Sequence, residues 1–109
     1  MTERNPNQDA HRTPINLERA MQIAERAIQE ADPTTNWVVR ATEERDFGWV
    51  FFHTTAEFAK TGDRQFLKPG NGPLVVDRNT GEPTFLSSSV PPDRAIAIFE
   101  ARWRAERQR

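Results

Sequence analysis

The sequence predicts an α+β fold in which an N-terminal helix packs on a four-stranded, mainly antiparallel sheet, with a C-terminal helix after it. Two observations carry this prediction. Amphipathic stripes with helical spacing lie near both ends of the chain, and two hairpin signals lie between them. A length of 109 residues suits one domain built around a single core.

The chain begins with a segment that has little to bury. Residues 1–13 contain no strongly apolar side chain after Met1. Such a segment cannot offset the entropy lost on ordering, so we predict a disordered lead-in over 1–13 and a single domain over 14–109. A partner-binding arm is the alternative function for the lead-in.

The first helix is predicted over residues 16–31. Asn16 is a suitable N-cap, and Ile15 supplies the apolar residue before it. Pro33 disfavours helical geometry at Asp32, which ends the helix. The apolar stripe recurs at steps of three and four and consists of Leu17, Ala20, Met21, Ala24, Ala27, Ile28 and Ala31.

Two aromatic and β-branched runs, 37–42 and 49–54, are predicted to pair as a hairpin. The polar residues 43–47 form its turn, and Gly48 marks the end of that turn. Trp49 and Phe51 point to one face of the second strand, and Val50 and Phe52 to the other. Both faces are apolar and both must be covered, so Trp49 should be buried. The first helix covers one face; the last helix, the loop 66–73 or a partner covers the other.

The second half of the chain contains a second hairpin and the last helix. A short helical turn at 56–60 ends at Gly62, and an irregular loop follows at 68–73. Strands are predicted at 74–77 and 84–86, with Gly81 in the turn between them. Pro91-Pro92-Asp93 opens the last helix, whose apolar stripe consists of Ala95, Ile96, Phe99 and Trp103.

Composition excludes several classes of function. The net charge of −1 lacks the basic excess that nucleic-acid binders of this size carry. The absence of cysteine excludes disulfides, thiolate nucleophiles and cysteine-ligated metals. No apolar run approaches the length of a membrane span, about 20 residues. The N-terminus has no apolar core of a secretory signal, so we expect a cytoplasmic protein.

One segment partly matches the signature of the RNA-recognition motif. Residues 45–52, Arg-Asp-Phe-Gly-Trp-Val-Phe-Phe, place aromatics where that motif stacks bases. Asp46 replaces a glycine-type position and would repel phosphate. The motif also needs an aromatic strand before the first helix, which residues 1–13 cannot supply. The sequence therefore favours a core strand, and we expect no nucleic-acid partner.

No set of residues predicts catalysis. His53 and Glu57 are four residues apart, but one ordered histidine cannot build a metal site. Ser87, Ser88 or Ser89 could be combined with His53 and Asp77, yet no nucleophile elbow supports that set. Gly70-Asn71-Gly72 lacks the helix and lysine of a phosphate loop. We therefore predict no enzyme, no cofactor, no metal and no small-molecule substrate.

Two motifs of this sequence are most specific as a pair, Gly-Trp-Val-Phe at 48–51 and Gly-Asn-Gly-Pro-Leu-Val-Val-Asp at 70–77. Thr61-Gly62-Asp63, Thr80-Gly81-Glu82 and a helix after Pro91 accompany this pair. Together these motifs resemble the YrhB-like family, which is also called the immunity protein 35 family. The resemblance covers roughly residues 16–104.

The resemblance implies a bacterial protein that is encoded beside a polymorphic or contact-dependent toxin. Such a protein neutralises its cognate toxin by direct binding inside the producing cell. Some relatives have been considered small chaperone-like proteins, so a chaperone-like protein-binding module is the alternative. In either case, the partner is another protein.

Two surfaces are candidates for contact with a toxin. Glu43, Glu44 and Asp46 crowd the predicted hairpin tip with only Arg45 between them, so we expect no local neutralisation and a role in electrostatic steering. The loop 68–73 is the second candidate, with Lys68 and Asn71 as its polar side chains, because long irregular loops in compact domains often serve function.

Overall fold

The computed structural model describes residues 14–68 and 72–108, in which a four-stranded sheet lies between two helices. The predicted lead-in 1–13 falls outside the described residues. The helices are α1 (Leu17–Ala31), α2 (Ala56–Thr61) and α3 (Pro92–Arg107), with a 3₁₀ turn at Arg64–Phe66. The strands are β1 (Trp37–Arg45), β2 (Gly48–Thr55), β3 (Leu74–Asp77) and β4 (Pro83–Phe85).

The sheet has the order β1-β2-β3-β4, and every neighbouring pair is antiparallel. The predicted α+β class and the two hairpins are therefore confirmed. A register shift between Val39 and Ala41 leaves Arg40 as the extra residue of a bulge in β1. Because bulges are common on edge strands, this irregularity fits the position of β1 at the sheet edge.

Helix α1 begins and ends as the sequence predicts. The Asn16 side chain accepts a hydrogen bond from the Arg19 amide at 2.8 Å, which satisfies one of the free donors of the first turn. Asp32 follows the last helical residue and lies outside helical geometry. Ala20, Ala24 and Ile28 are buried against the sheet, so the centre of the predicted stripe is the core face. Its two ends, Leu17 and Ala31, are exposed, and Ile23, which lies outside the predicted stripe, packs on the core.

The core has two layers, one on each face of the sheet. Between α1 and the sheet, the buried side chains of the strands are Trp49, Phe51, Leu74 and Val76. Between α3 and the sheet, the buried side chains are Phe47, Val50, Val75 and Ile96. The second face is thus covered by the last helix, with half-buried Phe99 and Trp103 packed on it.

Some boundaries differ from the prediction. Strand β1 continues through Arg45, three residues beyond its predicted end, so the predicted five-residue turn at 43–47 is wrong. Arg45 pairs with Gly48 across a two-residue turn. Strand β4 lies one residue earlier than predicted. Gly81 does adopt the positive φ, 75°, that its predicted turn requires.

Candidate interaction surface

The hairpin tip is formed by Asp46 and Phe47, and it is anchored rather than free. Phe47 is fully buried and packs edge-on against Phe99, with ring centroids 5.0 Å apart. The Arg78 amide donates to the Phe47 carbonyl at 2.9 Å, and the Arg78 guanidinium donates to the Arg45 carbonyl at 2.9 Å. The turn is therefore held by α3 on one side and by the β3–β4 connection on the other.

The three predicted acidic residues do not form one patch. Glu43 pairs with Val50 and Glu44 pairs with Trp49 across the β1–β2 ladder. Since successive strand residues point to opposite faces, the two carboxylates lie on opposite sides of the sheet. Hydrogen bonding to β2 extends the strand through these residues although glutamate is a weak strand former.

The expectation that nothing local neutralises these carboxylates is also wrong. Glu43 lies 3.4 Å from the Arg45 guanidinium, and Asp46 lies 3.4 Å from that of Arg104. Glu44 lies 2.9 Å from the guanidinium of Arg78. Two of these arginines come from distant parts of the chain, so the pairs could not be seen in the local sequence.

Glu100 of α3 joins the Glu43–Arg45 and Asp46–Arg104 pairs into a network. Its carboxylate lies 3.1 Å from Arg104 and 3.4 Å from Arg45. The hydrogen bond from Arg104, supported by Arg45, holds the pKa of Glu100 below its ordinary value. The edge of the molecule around the tip therefore carries four carboxylates and three guanidinium groups, which leaves a weak negative excess.

Arg78 also contacts Trp49, a core residue on the face of the sheet that α1 covers. Its guanidinium carbon is 4.7 Å from the centroid of the Trp49 ring, within the range of a cation–π contact. Trp49 itself is 3% exposed, as predicted. Arg78 thus links the Glu44 carboxylate, the hairpin turn and the packed Trp49 ring.

The second candidate surface lies at the other end of β1. The Lys68 ammonium group is 3.1 Å from the Asp32 carboxylate and also donates to the Thr35 hydroxyl. Thr35 precedes β1, whereas the tip follows it. The nine residues of β1 span eight steps of about 3.3 Å, so the two surfaces are separated by roughly 26 Å. Asn71 lies outside the described residues.

The Asp32 carboxylate connects the residues of this second surface by accepting hydrogen bonds from several of them. Its carboxylate accepts hydrogen bonds from the hydroxyl groups of Thr34 at 2.6 Å and Thr35 at 2.7 Å. These two bonds, with that of Lys68, hold the pKa of Asp32 well below its usual range. Lys68 therefore serves at least one structural role, which is to attach the segment after the 3₁₀ turn to the end of α1.

The structure does not assemble the residues of the serine triad considered above. Asp77 pairs with Gly48 at the start of β2, whereas His53 lies five residues further along that strand. His53 is buried beside Trp37, with ring centroids 5.1 Å apart, and burial lowers its pKa. Phe51 and Trp49, which would have to stack bases in an RNA-binding sheet, are buried under α1.

Residues 14–68 and 72–108 offer neither a metal site nor a membrane-spanning helix. These residues contain no cluster of three metal-ligating side chains. No helix among them is both long enough and apolar enough to pass through a lipid bilayer.

Sequence reasoning missed a groove between β4 and α3. The groove has a volume of about 540 Å³, and its apolar lining includes Leu86, Val90, Ile98, Phe99 and Trp103. Ile98 lies off the predicted stripe of α3 and is 48% exposed. The sequence contained one sign of this groove, which was an isoleucine outside the apolar stripe of α3. It could not show that β4 lies opposite that isoleucine, because this depends on the tertiary structure.

Comparison with known proteins gives a family for this chain. The family model for immunity protein 35 matches residues 18–106. A curated Escherichia coli (strain K12) protein, described as "Uncharacterized protein YrhB", is 32% identical over 53 residues, which cover 49% of this chain and 56% of that protein. The match thus spans little more than half of the curated relative. No solved structure matches. Because the family model covers the whole sheet, α2 and nearly all of α1 and α3, this chain belongs to the immunity protein 35 family.

Proposed function

We propose that this protein neutralises a cognate bacterial toxin by direct protein–protein binding in the cytoplasm of the producing cell. The observation that carries the proposal is the family match over residues 18–106, which includes every described strand and nearly all of α1 and α3. A protein of this kind needs a well-ordered surface that is complementary to the toxin. It needs no catalytic group, cofactor or metal.

The physical character of the fold supports a binding role. A sheet packed on both faces, with its first turn anchored by Phe47 and Arg78, presents side chains in fixed positions. Preorganised surfaces bind tightly because little conformational entropy is lost on association. The anchored hairpin and the helix-covered sheet are therefore suited to recognition of a single partner.

Glu43, Glu44 and Asp46 remain proposed steering residues. All three are exposed, although each is paired with an arginine. The network around them keeps an excess of one negative charge, so it would attract a cationic toxin surface weakly. Lys68, at the opposite end of β1, and Asn71 remain proposed contact residues.

Co-expression tests the proposal. The toxin domain encoded by the gene next to that of this chain is expressed from an inducible promoter, with and without the full chain. We expect growth to be restored and the two proteins to co-purify. A second toxin from an unrelated immunity system is the control and should not be neutralised. Rescue of both toxins would indicate a chaperone-like activity, and rescue of neither would refute the proposal.

A further inference from the structure

The groove between β4 and α3 combines an apolar lining with an exposed position. Phe99 and Trp103 are only half-buried, although Phe47 packs against both of them. Ile98 stands beside them and is half exposed. A volume of about 540 Å³ falls within the range of sites that bury compact ligands, about 300–1,000 Å³.

The rim of this groove has a negative excess, and its carboxylates, unlike those of the hairpin tip, form no ion pairs among the described residues. Glu82 and Glu106 border the groove, and among the described residues neither carboxylate has a cation within ion-pair distance. Asp77 also borders it and accepts hydrogen bonds from the amides of Asn79 and Thr80, and it forms no ion pair within the part of the chain that the structure describes. Among the described residues, Arg102 lines the groove and the Arg107 guanidinium lies 4.6 Å from the centroid of the Trp103 ring, so three carboxylates face two cations and an excess of one negative charge remains.

Strand β4 is unsuited to pairing with a strand of a partner. It is three residues long, and Pro83 has no amide hydrogen to donate. The Leu86 amide donates to Pro73 and the Asp77 amide donates to Glu82, so positions 82 and 86 are turned towards β3. A partner must therefore be held by side chains that enter the groove rather than by main-chain hydrogen bonds.

A symmetric contact between two copies of this chain is disfavoured by charge. An interface with two-fold symmetry would bring each acidic rim close to its own equivalent. Carboxylates brought together in this way repel one another and weaken the contact. The excess of negative charge instead favours a partner that is basic where it meets the rim.

We propose that this groove is the toxin-binding site and that it captures a cationic segment of the toxin. A large apolar or aromatic side chain of that segment enters the groove beside Ile98 and Trp103. Lysine or arginine side chains next to it bind the free carboxylates of Glu82 and Glu106. This inference rests on the proposed function, and it replaces the hairpin tip with the groove as the main contact surface.

The test measures the affinity of the full chain for a catalytically inactivated toxin domain from the neighbouring gene. Two groove variants are Ile98→Asp and Glu82→Lys/Glu106→Lys. Their matched controls are Leu17→Asp, at an equally exposed apolar position (48%), and Glu18→Lys/Glu25→Lys, which changes the net charge by the same amount on α1. Melting curves verify that all four variants are folded.

We expect each groove variant to raise Kd at least tenfold and each control to change it less than threefold. If the wild-type chain binds the toxin and the groove variants bind like their controls, the groove is not the toxin-binding site, while the proposed function stands. If the wild-type chain does not bind, both fail. A wild-type dimer in sedimentation that Ile98→Asp dissociates would show that a second copy fills the groove, and would also overturn the inference.

Discussion

The Arg104 guanidinium lies 3.4 Å from the Asp46 carboxylate and thereby connects the last helix to the turn of the first hairpin. Both side chains are largely exposed, at 57% and 75%, so this pair contributes little to stability. Its importance is that it removes free negative charge from the tip. The buried ring of Phe47, next to Asp46 in the chain, provides the stronger link between the same two elements.

The acidic tip should affect association more than stability. In the variant Glu43→Gln/Glu44→Gln/Asp46→Asn, three exposed ion pairs are lost, and we expect the free energy of unfolding to fall by about 1 kcal/mol or less. Association with the toxin domain should be slower at low salt and less dependent on salt. Stopped-flow mixing at two salt concentrations measures both effects.

The control for the tip is Glu18→Gln/Glu25→Gln/Glu57→Gln, which removes the same charge from exposed helical positions. Equal slowing in both variants would mean that net charge alone matters. Rates equal to wild type in the tip variant would show that these three carboxylates are inert in capture.

Trp49→Ala should destabilise the protein severely. The ring is buried between α1 and the sheet, and its removal leaves a large cavity in a small core. We expect the free energy of unfolding to fall by about 3–5 kcal/mol, which is a large fraction of the stability of a domain of this size. Urea unfolding measures the loss, with Leu17→Ala as the exposed control. An unchanged midpoint for Trp49→Ala would place the ring at the surface.

Gly48→Ala should lower the free energy of unfolding more than Gly62→Ala does. Gly48 has φ of 145°, and an added Cβ would lie 2.1 Å from the Val76 carbonyl oxygen, so the backbone of β2 or β3 must shift. We expect a loss of at least about 2 kcal/mol. Gly62 also has a positive φ, 71°, but its Cβ would meet open space, so strain alone should cost about 1 kcal/mol. Equal melting temperatures for the two variants would refute the steric account.

The Asp32 carboxylate should make stability depend on pH. Its pKa is depressed in the folded protein, chiefly by the hydroxyl groups of Thr34 and Thr35 and then by Lys68. Its contribution is therefore present above the unfolded pKa of about 3.9 and is lost as the pH falls towards the folded value. The difference in stability between wild type and Asp32→Asn should be largest above about pH 5 and should shrink as the pH falls from there towards 2. Urea unfolding across this range measures it, and a constant difference would contradict the assignment.

The local features of the fold could be predicted from the sequence because their causes are local. The Asn16 cap, the stripe of α1 and the positive φ of Gly81 each depend on a few neighbouring residues. The strand character of Glu43 and Glu44 could not be predicted, since it comes from pairing with β2.

The candidate site depends on contacts across long stretches of chain. Arg78 and Arg104 neutralise carboxylates 34 and 58 positions away, and no local pattern reveals such partners. The groove needs Ile98 and β4 to be brought together by packing of α3 on the sheet. The sequence therefore indicated a binding protein without indicating where it binds.

The most direct test of toxin neutralisation by binding is a titration of purified toxin domain with this purified chain, with toxin activity as the readout. We predict that residual activity falls in proportion to the amount of chain added, reaches zero at a fixed molar ratio and does not change with longer incubation. If trace amounts of the chain abolished activity progressively with time, the chain would act as an enzyme. If excess chain left toxin activity intact, neutralisation by direct binding would be contradicted.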